Sequence, residues 1–435
     1  MNYKKALVSA VASVAILLNT AMPIFAGTTL IITGNGDGSE NEAKVDLDQT
    51  TTVTQTNETS ITNDIDANAN SGGNSASRNT GGAVNVDTGN AKTDVKVSNI
   101  ANSNEAVVDC CLANSDVDVL IEGNGSDSEN EAELEIESAI ELYQTNEAKI
   151  KNDVDANANS GDNRADRNTG GDVSVETGNA SVDVDLKTAA NSNSALISSH
   201  GGTGSVSLKI LGNGDSSDND IDLDLDHSVL LTQANFASVK NDVDANANSG
   251  DNRAKRNTGG DVTIDTGDAH AGVEVDNMVN FNWADVDCGC LFDVFAKIAE
   301  NGSDTENEIE AEFENETVVF QDNSCKKPWF PGVRLFDNLG GRGRHYDKDC
   351  LTNYLDAYAG TGDNRADRNT GDPEGDPSVL TGNAETLVDV ENSGGSNVYG
   401  SGAPEGWGWP DWSVGSFNLN ISLDLSALLE ALGLA

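Results

Sequence analysis

Large apolar side chains are scarce in this sequence. Aromatic residues make up 5% of its 435 residues, and none occurs between Gly27 and Leu142. Hydrophobic residues amount to 37%, below the roughly 45–50% of a typical soluble domain. This shortage excludes a thick globular core in that part of the chain.

Basic residues are scarce too. The chain has 25 Lys and Arg against 73 Asp and Glu, a formal charge of −48. Phosphates would be repelled and no basic stripe neutralises them, so the composition excludes a nucleic-acid binder. It predicts instead a soluble chain that repels itself and attracts cations.

The one extended apolar run lies at the start of the sequence. Lys4 and Lys5 precede apolar residues 6–18, and the segment ends in a small residue, Ala26. This pattern is typical of a secretory signal peptide, so residues 1–26 are predicted to be cleaved. A membrane anchor is the alternative, although the run is short for a span of about 20 residues. The mature chain is expected to be secreted, extracellular or on the cell surface, with no transmembrane span.

The chain repeats with a period of 89 residues. One phrase, Asn-Asp-Val/Ile-Asp-Ala-Asn-Ala-Asn-Ser-Gly, begins at Asn63, Asn152 and Asn241, and 152 − 63 = 241 − 152 = 89. We therefore predict four repeats. They span 27–120, 121–209, 210–297 and 298–400, the last with a basic, aromatic insert at about 324–346. A Gly/Trp/Pro-rich linker (401–416) and an amphipathic C-terminal cap or docking segment (417–435) follow.

Side chains in the second repeat alternate between apolar and charged from Asn130 to Ala158. A period of two places the two sets on opposite faces of a strand. Asn-Ala or Asn-x-Ala phrases recur at Asn130, Asn146, Asn163 and Asn179, with gaps of 16, 17 and 16 residues. The sequence thus predicts an all-β fold, a β-solenoid whose coils hold about 16–18 residues. Tandem β-sandwich domains are the alternative, since a sandwich has about 100 residues.

The inward set of this repeat contains amides, namely Gln144, Asn146 and Asn152. A buried amide is costly unless it is hydrogen-bonded. In stacked strands, like amides can bond to one another along the stack. Exposed turns are the alternative place for these Asn residues, and corners are predicted at Ser138, Asn146 and Asn152.

Two phrases resemble a known family. Residues 144–148 (Gln-Thr-Asn-Glu-Ala) and 161–165 (Gly-Asp-Asn-Arg-Ala) are similar to the Gly-Asn-x-Ala repeats of curlins. The similarity covers the Asn-x-Ala positions through much of residues 35–384. Curlins are secreted β-solenoid subunits that polymerise into extracellular fibres. The resemblance implies an extracellular structural or matrix role and no enzymatic activity.

Calcium is the one cofactor that the sequence suggests, because clustered carboxylates and carbonyl oxygens are its usual ligands. The candidate ligands follow the Gly-Asn-Gly phrases of the repeats. They are Asp37, Asn41, Asp127, Asn130, Asp215, Asp218, Asn219, Asp304 and Asn307. A diffuse, solvated acidic face is the alternative.

Six cysteines in a secreted chain suggest disulfides. Cys325 and Cys350 flank the insert and are predicted to pair. The pairing of Cys110, Cys111, Cys288 and Cys290 is left open. Because 288 − 110 = 178 residues, or two repeat periods, stacking as a solenoid would hold Cys110 and Cys288 some distance apart. Direct pairing is then expected to fail on geometry, and pairing between chains is an alternative.

The insert and the C-terminal linker carry the candidate partner-binding residues. Loops that leave a rigid scaffold often carry function. The candidates are Trp329, Phe330, Arg334, Arg342, Arg344, Trp407, Trp409 and Trp412.

The sequence favours a structural protein over an enzyme. Carboxylate pairs are so numerous that none singles out a glycosidase-type site. A β-helix polysaccharide-degrading enzyme is the enzymatic alternative. We expect a structural role at the cell surface or in the extracellular matrix, with self-assembly into fibres. The alternative is a monomeric adhesin that binds a glycan or protein through the insert and the Trp-rich region.

Overall fold

The computed structural model describes residues 3–12, 18–19, 28–110, 116–198, 205–288, 293–324, 350–371 and 377–400. The chain divides into two units, Met1–Gly402 and Ala403–Ala435, and every described residue belongs to the first. These residues form strands, turns and bends, with no helix among them. The predicted all-β class is therefore confirmed.

The strands fall into four successive sets, which we call layers. β1 (Tyr3–Ala12) and β2 (Leu18–Asn19) precede them. The first layer holds β3 (Thr28–Thr33), β4 (Glu40–Asn70), β5 (Ser75–Ser77), β6 (Val84–Asp87) and β7 (Ala91–Asp109). The second holds β8 (Val117–Glu122), β9 (Glu129–Asn159), β10 (Arg164–Asp166), β11 (Val173–Glu176) and β12 (Ala180–Ser198). The third holds β13 (Ser205–Leu211), β14 (Asp218–Asn248), β15 (Arg253–Lys255), β16 (Val262–Asp265) and β17 (Ala269–Asp287). The fourth holds β18 (Asp293–Ala299), β19 (Glu306–Asp322), β20 (Leu351–Gly360), β21 (Arg365–Asp367), β22 (Ser378–Leu380) and β23 (Ala384–Tyr399).

Parallel sheets connect the layers, because each strand pairs with its counterpart in the next layer. Glu40 of β4 is the register partner of Glu129 in β9, which in turn pairs with Asp218 in β14. The offset is 129 − 40 = 218 − 129 = 89 residues. This stacking of parallel strands is consistent with a β-solenoid, and it does not fit tandem sandwiches, whose sheets are antiparallel.

The predicted coil length of 16–18 residues is wrong. One sheet, which we call the long sheet, consists of β4, β9, β14, β19 and β20. Its strands β4, β9 and β14 are neighbours 89 residues apart in sequence, so a whole repeat forms one layer. The shorter spacing joins Asn130 and Asn146, and both lie in the same strand, β9. The 16-residue spacing therefore separates successive amide positions within one layer, and it does not give the number of residues between one layer and the next.

The core lies between the long strands and the sheets that face them. Leu134 of β9 belongs to one apolar cluster with Ile121 of β8 and Ile210 of β13. Val154, farther along β9, belongs to another with Val184 of β12. Small and branched side chains fill these clusters, which explains how the fold manages with so few aromatic residues.

The backbone is left-handed at one Asn in the middle of each of three strands. Asn102, Asn191 and Asn280 have φ of 59°, 63° and 60° in the middle of β7, β12 and β17. Asn tolerates this conformation better than most residues. The predicted corners at Ser138, Asn146 and Asn152 fall inside β9, which runs from Glu129 to Asn159 and contains no left-handed residue.

The N-terminal strands extend the sheet of β7. Tyr3 of β1 is the register partner of Lys92 in β7, an offset of 92 − 3 = 89 residues. Removal of residues 1–26 stays a prediction. It would take both N-terminal strands away and leave β7 as the edge strand.

Candidate functional site

Ladders of stacked amides run through the layers. Gln144 and Asn152 are fully buried. Nε2 of Gln144 donates to Oε1 of Gln55 at 2.7 Å, and Nδ2 of Asn152 donates to Oδ1 of Asn241 at 2.6 Å. Each bond joins residues 89 positions apart. The prediction of buried amides that bond along the stack is confirmed.

The Asn and Gln ladders point in opposite directions. Nδ2 of Asn41 donates to Asn130 at 2.9 Å, and Nδ2 of Asn130 donates to Asn219 at 3.0 Å, towards the fourth layer. Nε2 of Gln233 donates to Gln144 at 2.8 Å, towards the first layer. Because each ladder has a fixed direction, the two ends of the stack present different hydrogen-bonding groups.

The fourth layer leaves apolar side chains exposed at positions that the third layer buries. Ile309 is 49% exposed, whereas its register partner Ile221 is 0% exposed. Other inward positions of this layer that are exposed in the same way are Phe313, Val379, Val388, Val390 and Tyr399. These side chains, with the edges of β19 to β23 that pair with no further described strand, form what we call the open end.

Carboxylates form rows on the outer face of the long sheet. Glu131 lies between Glu42 and Asp220 in the register of β4, β9 and β14. Burial, and then the negative charges of Glu42 and Glu133, raise the pKa of the Glu131 carboxyl. Burial, and then the charge of Asp222, raise the pKa of Asp220. The rows therefore carry mutual repulsion that protonation or a cation would relieve.

The candidate calcium ligands separate into two environments. The four Asn residues (Asn41, Asn130, Asn219 and Asn307) belong to one amide ladder. The Asp residues (Asp37, Asp127, Asp215, Asp218 and Asp304) are exposed in or beside the turns. Within the part of the chain that the structure describes, no group of three or more His, Cys, Asp or Glu side chains could hold a metal ion. Calcium binding at these turns stays a prediction.

One disulfide corrects the reasoning about distance. Cys110 and Cys288 are bonded, with a Cα–Cα distance of 5.8 Å and a separation of 178 residues. Cys110 and Cys288 directly follow β7 and β17, which lie in the first and third layers. Their Cα atoms are closer than two strand spacings of about 4.8 Å, so the chain leaves the regular stacking just after these strands. Cys350 also forms a disulfide. Its predicted partner, Cys325, lies outside the described residues, as do Cys111 and Cys290.

The predicted partner-binding residues lie outside the described residues as well. These are Trp329, Phe330, Arg334, Arg342 and Arg344 of the insert, and Trp407, Trp409 and Trp412 of the linker. The adhesin alternative, which depends on them, stays a prediction. Among the residues that are described, no helix has the length and apolar character to span a membrane.

Sequence reasoning missed the open end as a candidate functional surface. Its signal was present, because the repeated phrases stop after the fourth repeat. The predicted linker at 401–416 and the predicted cap or docking segment at 417–435 lie outside the described residues. No protein family, curated protein or solved structure that was compared with the chain matches it. The similarity to curlins is confined to short phrases.

Proposed function

We propose that the protein is a secreted structural protein of the cell surface or extracellular matrix that associates with copies of itself. In this proposal its architecture is a β-solenoid of four repeats, with one 89-residue turn per repeat. The observation that carries the proposal is the open end, where inward apolar side chains such as Ile309 and Phe313 are exposed.

Unpaired strand edges are ready templates for pairing with another chain. Repeat proteins that remain monomeric usually end in capping repeats with a polar outer face. The described part of the fourth layer has no such polar end: Val388 and Val390 are 45% and 40% exposed. An end of this kind is stabilised when another layer covers it, which supports a role in assembly.

In this proposal, repulsion between the rows of carboxylates makes assembly depend on cations. Stacked strands lie about 4.8 Å apart, and like charges at that spacing repel. Calcium is the cation that we propose as counterion for these rows outside the cell. Repetition of the same outer face in every layer also supports a structural role over catalysis, since a catalytic site requires one unique arrangement of groups.

The test uses the chain that a secretory host exports, with its N terminus determined by mass spectrometry. Light scattering after size exclusion and negative-stain electron microscopy would follow its assembly with calcium and with a chelator. We expect concentration-dependent oligomers or filaments, more of them with calcium. A chain that remains monomeric at about 100 μM in both conditions would overturn self-association.

A further inference from the structure

We infer that the first layer of one copy stacks on the fourth layer of another, in the 89-residue register that joins layers within the chain. This inference builds on the proposed self-association and names its contact. Copies joined in this way form a polar, head-to-tail stack. A heterologous contact of this kind generates a filament unless the rotation between successive copies closes a ring.

Glycines at the same position in successive layers are the first observation that supports this stacking. A Cβ on Gly178 would lie 2.5 Å from the carbonyl carbon of Gly89, its counterpart in the first layer. A Cβ on Gly250 would collide with the carbonyl oxygen of Gly362, its counterpart in the fourth layer. Gly is therefore required inside the stack because the backbones of successive layers approach closely there.

At the two ends of these rows of glycines, no contact within the described part of the chain requires glycine. A Cβ on Gly89 or on Gly362 would meet nothing within 4 Å, and neither residue has a left-handed φ. In a head-to-tail stack, Gly89 of one copy faces Gly382 of the other, and Gly362 faces Gly72. Both contacts would repeat the close approach that the interior layers show. The stack thus explains why glycine occupies both end positions.

The amide ladders fix the orientation. Within the chain, Nδ2 of Asn241 donates to Oδ1 of Asn353 at 2.7 Å. At the other end, Oδ1 of Asn63 accepts no hydrogen bond from any described residue, whereas Nδ2 of Asn63 donates to Asn152. Head-to-tail stacking brings Nδ2 of Asn353 to Oδ1 of Asn63 in the next copy. Two fourth layers placed together would set donor against donor.

Charges at the two ends are complementary in three rows. Lys44, Lys92 and Lys96 of the first layer share rows with Glu310, Glu385 and Asp389 of the fourth. Within the chain, Nζ of Lys44 lies 2.6 Å from Oε1 of Glu133 in the second layer. A stacked copy would place each of these lysines between two carboxylates.

Other rows oppose the contact, because Glu42 would meet Glu308 and Asp46 would meet Glu312. Acid or added salt should therefore strengthen stacking.

The edge of β7 already accepts a strand at the required offset. β1 pairs with it in parallel over Tyr3–Ala12, with Ala12 beside Ala101. In the stack, β23 of a second copy would take this place, as it pairs with β17 within the chain. A retained N-terminal segment and a second copy would therefore compete for one edge.

The decisive experiment blocks one end at a time. Gly89→Ala blocks the first-layer end and Gly362→Ala blocks the fourth-layer end, while each single chain has room for the added methyl group. Gly272→Ala is the control, since a Cβ there would meet only the side chains of His270 and Asp183 within 3.4 Å. Thermal unfolding of dilute protein, followed by circular dichroism, verifies that every variant folds.

We expect the wild type and Gly272→Ala to assemble, and each blocked variant alone to remain monomeric. An equimolar mixture of the two blocked variants should stop at dimers, because it offers one intact pair of ends. Assembly of both blocked variants at wild-type levels would overturn this inference and leave self-association standing. Dimers of Gly89→Ala alone would overturn it in favour of contact between two fourth layers. A wild type that does not assemble would refute the proposed function itself.

A second measurement identifies the contact directly. A carbodiimide joins a lysine to a carboxylate without a spacer, and Lys44 and Glu310 of one chain lie three layers apart, about 14 Å. Mass spectrometry of mixed light and isotope-labelled chains should find the Lys44–Glu310 link between chains. Cross-links between carboxylates and lysines of other rows alone would contradict the proposed register.

Discussion

The third and fourth layers place similar side chains in different surroundings. Ile221 and Ile309 are register partners with the same side chain, yet the first is fully buried and the second is half exposed. Leu225 and Phe313 repeat the contrast, with 8% and 61% exposure. The side chains of the third layer are thus covered by a layer on either side, and the fourth layer lacks this cover on one side.

The amides show the same contrast. Oδ1 of Asn152 accepts from Asn63 at 2.7 Å and from Asn99 at 3.0 Å, while its Nδ2 donates to Asn241. Among the described residues, Asn353, at the equivalent position of the fourth layer, accepts from Asn241 and donates one long bond of 3.4 Å to Asn392. The interior ladder therefore has more to lose than its end.

The largest expected effect comes from breaking an interior ladder. Asn152→Ala removes three buried hydrogen bonds, those with Asn63, Asn99 and Asn241. A buried hydrogen bond is worth about 1 kcal/mol, and a buried group left unsatisfied costs about 1–3 kcal/mol. We expect a loss of about 4 kcal/mol in the free energy of unfolding, against about 1 kcal/mol for Asn353→Ala. Urea unfolding of dilute protein compares the two. Equal losses would contradict the contrast between interior and end.

Cavity formation gives the next effect. Ile221→Ala empties a fully buried site and should cost about 3 kcal/mol, as large-to-small changes in cores do. Ile309→Ala should cost less than about 1 kcal/mol in the unassembled chain, since its side chain is already half in water. The same urea titration measures both. In assembled protein the cost of Ile309→Ala should rise towards that of Ile221→Ala, and an unchanged value would argue that the open end stays uncovered.

The smallest effect concerns pH. The folded state raises the pKa of Glu131 above its ordinary value of 4.5, so the folded chain binds this proton more tightly than the unfolded chain. Its contribution is full below about pH 4.5 and is lost as pH rises through the raised pKa. Stability should therefore increase when the pH is lowered from 7 towards 4.5.

Glu131→Gln removes this repulsion and should stabilise the chain at pH 7 by about 0.5 kcal/mol, the scale of one cross-strand charge contact. The control is Glu122→Gln, because Glu122 ends β8 beside a turn and outside these rows. Thermal melts from pH 4.5 to 7.5 follow both variants. A pH profile of Glu131→Gln identical to that of the wild type would contradict the assigned cause.

The buried and exposed faces of the strands could be predicted from the sequence, whereas the number of residues per layer was predicted wrongly. Alternation around Leu134 and Ile136 predicted which side chains are buried, because a strand has a fixed period of two. The inner spacing from Asn130 to Asn146 misled, since a ladder position looks the same whether its partner is 16 or 89 residues away. The 89-residue identity of the Asn63 and Asn152 phrases was the better guide, because like amides bond to like across layers.

The disulfide and the open end could not be deduced without the layer size. Cysteines 178 residues apart are many coils apart in a stack of short coils and two layers apart in a stack of 89-residue layers. Exposure of Phe313 likewise depends on which strand is the last in its sheet. Both features follow from how the chain is stacked, and local sequence patterns do not encode it.

The 89-residue turn also has a consequence for folding kinetics. No strand of the long sheet has a sheet partner until the chain 89 residues farther along is available, so every sheet contact has high contact order. Closing such loops before any contact is gained is slow. Once two layers are in place, their exposed edge is a ready template, and each later repeat can dock along its whole length. Folding of a single chain should thus show a long lag and then rapid, sequential growth.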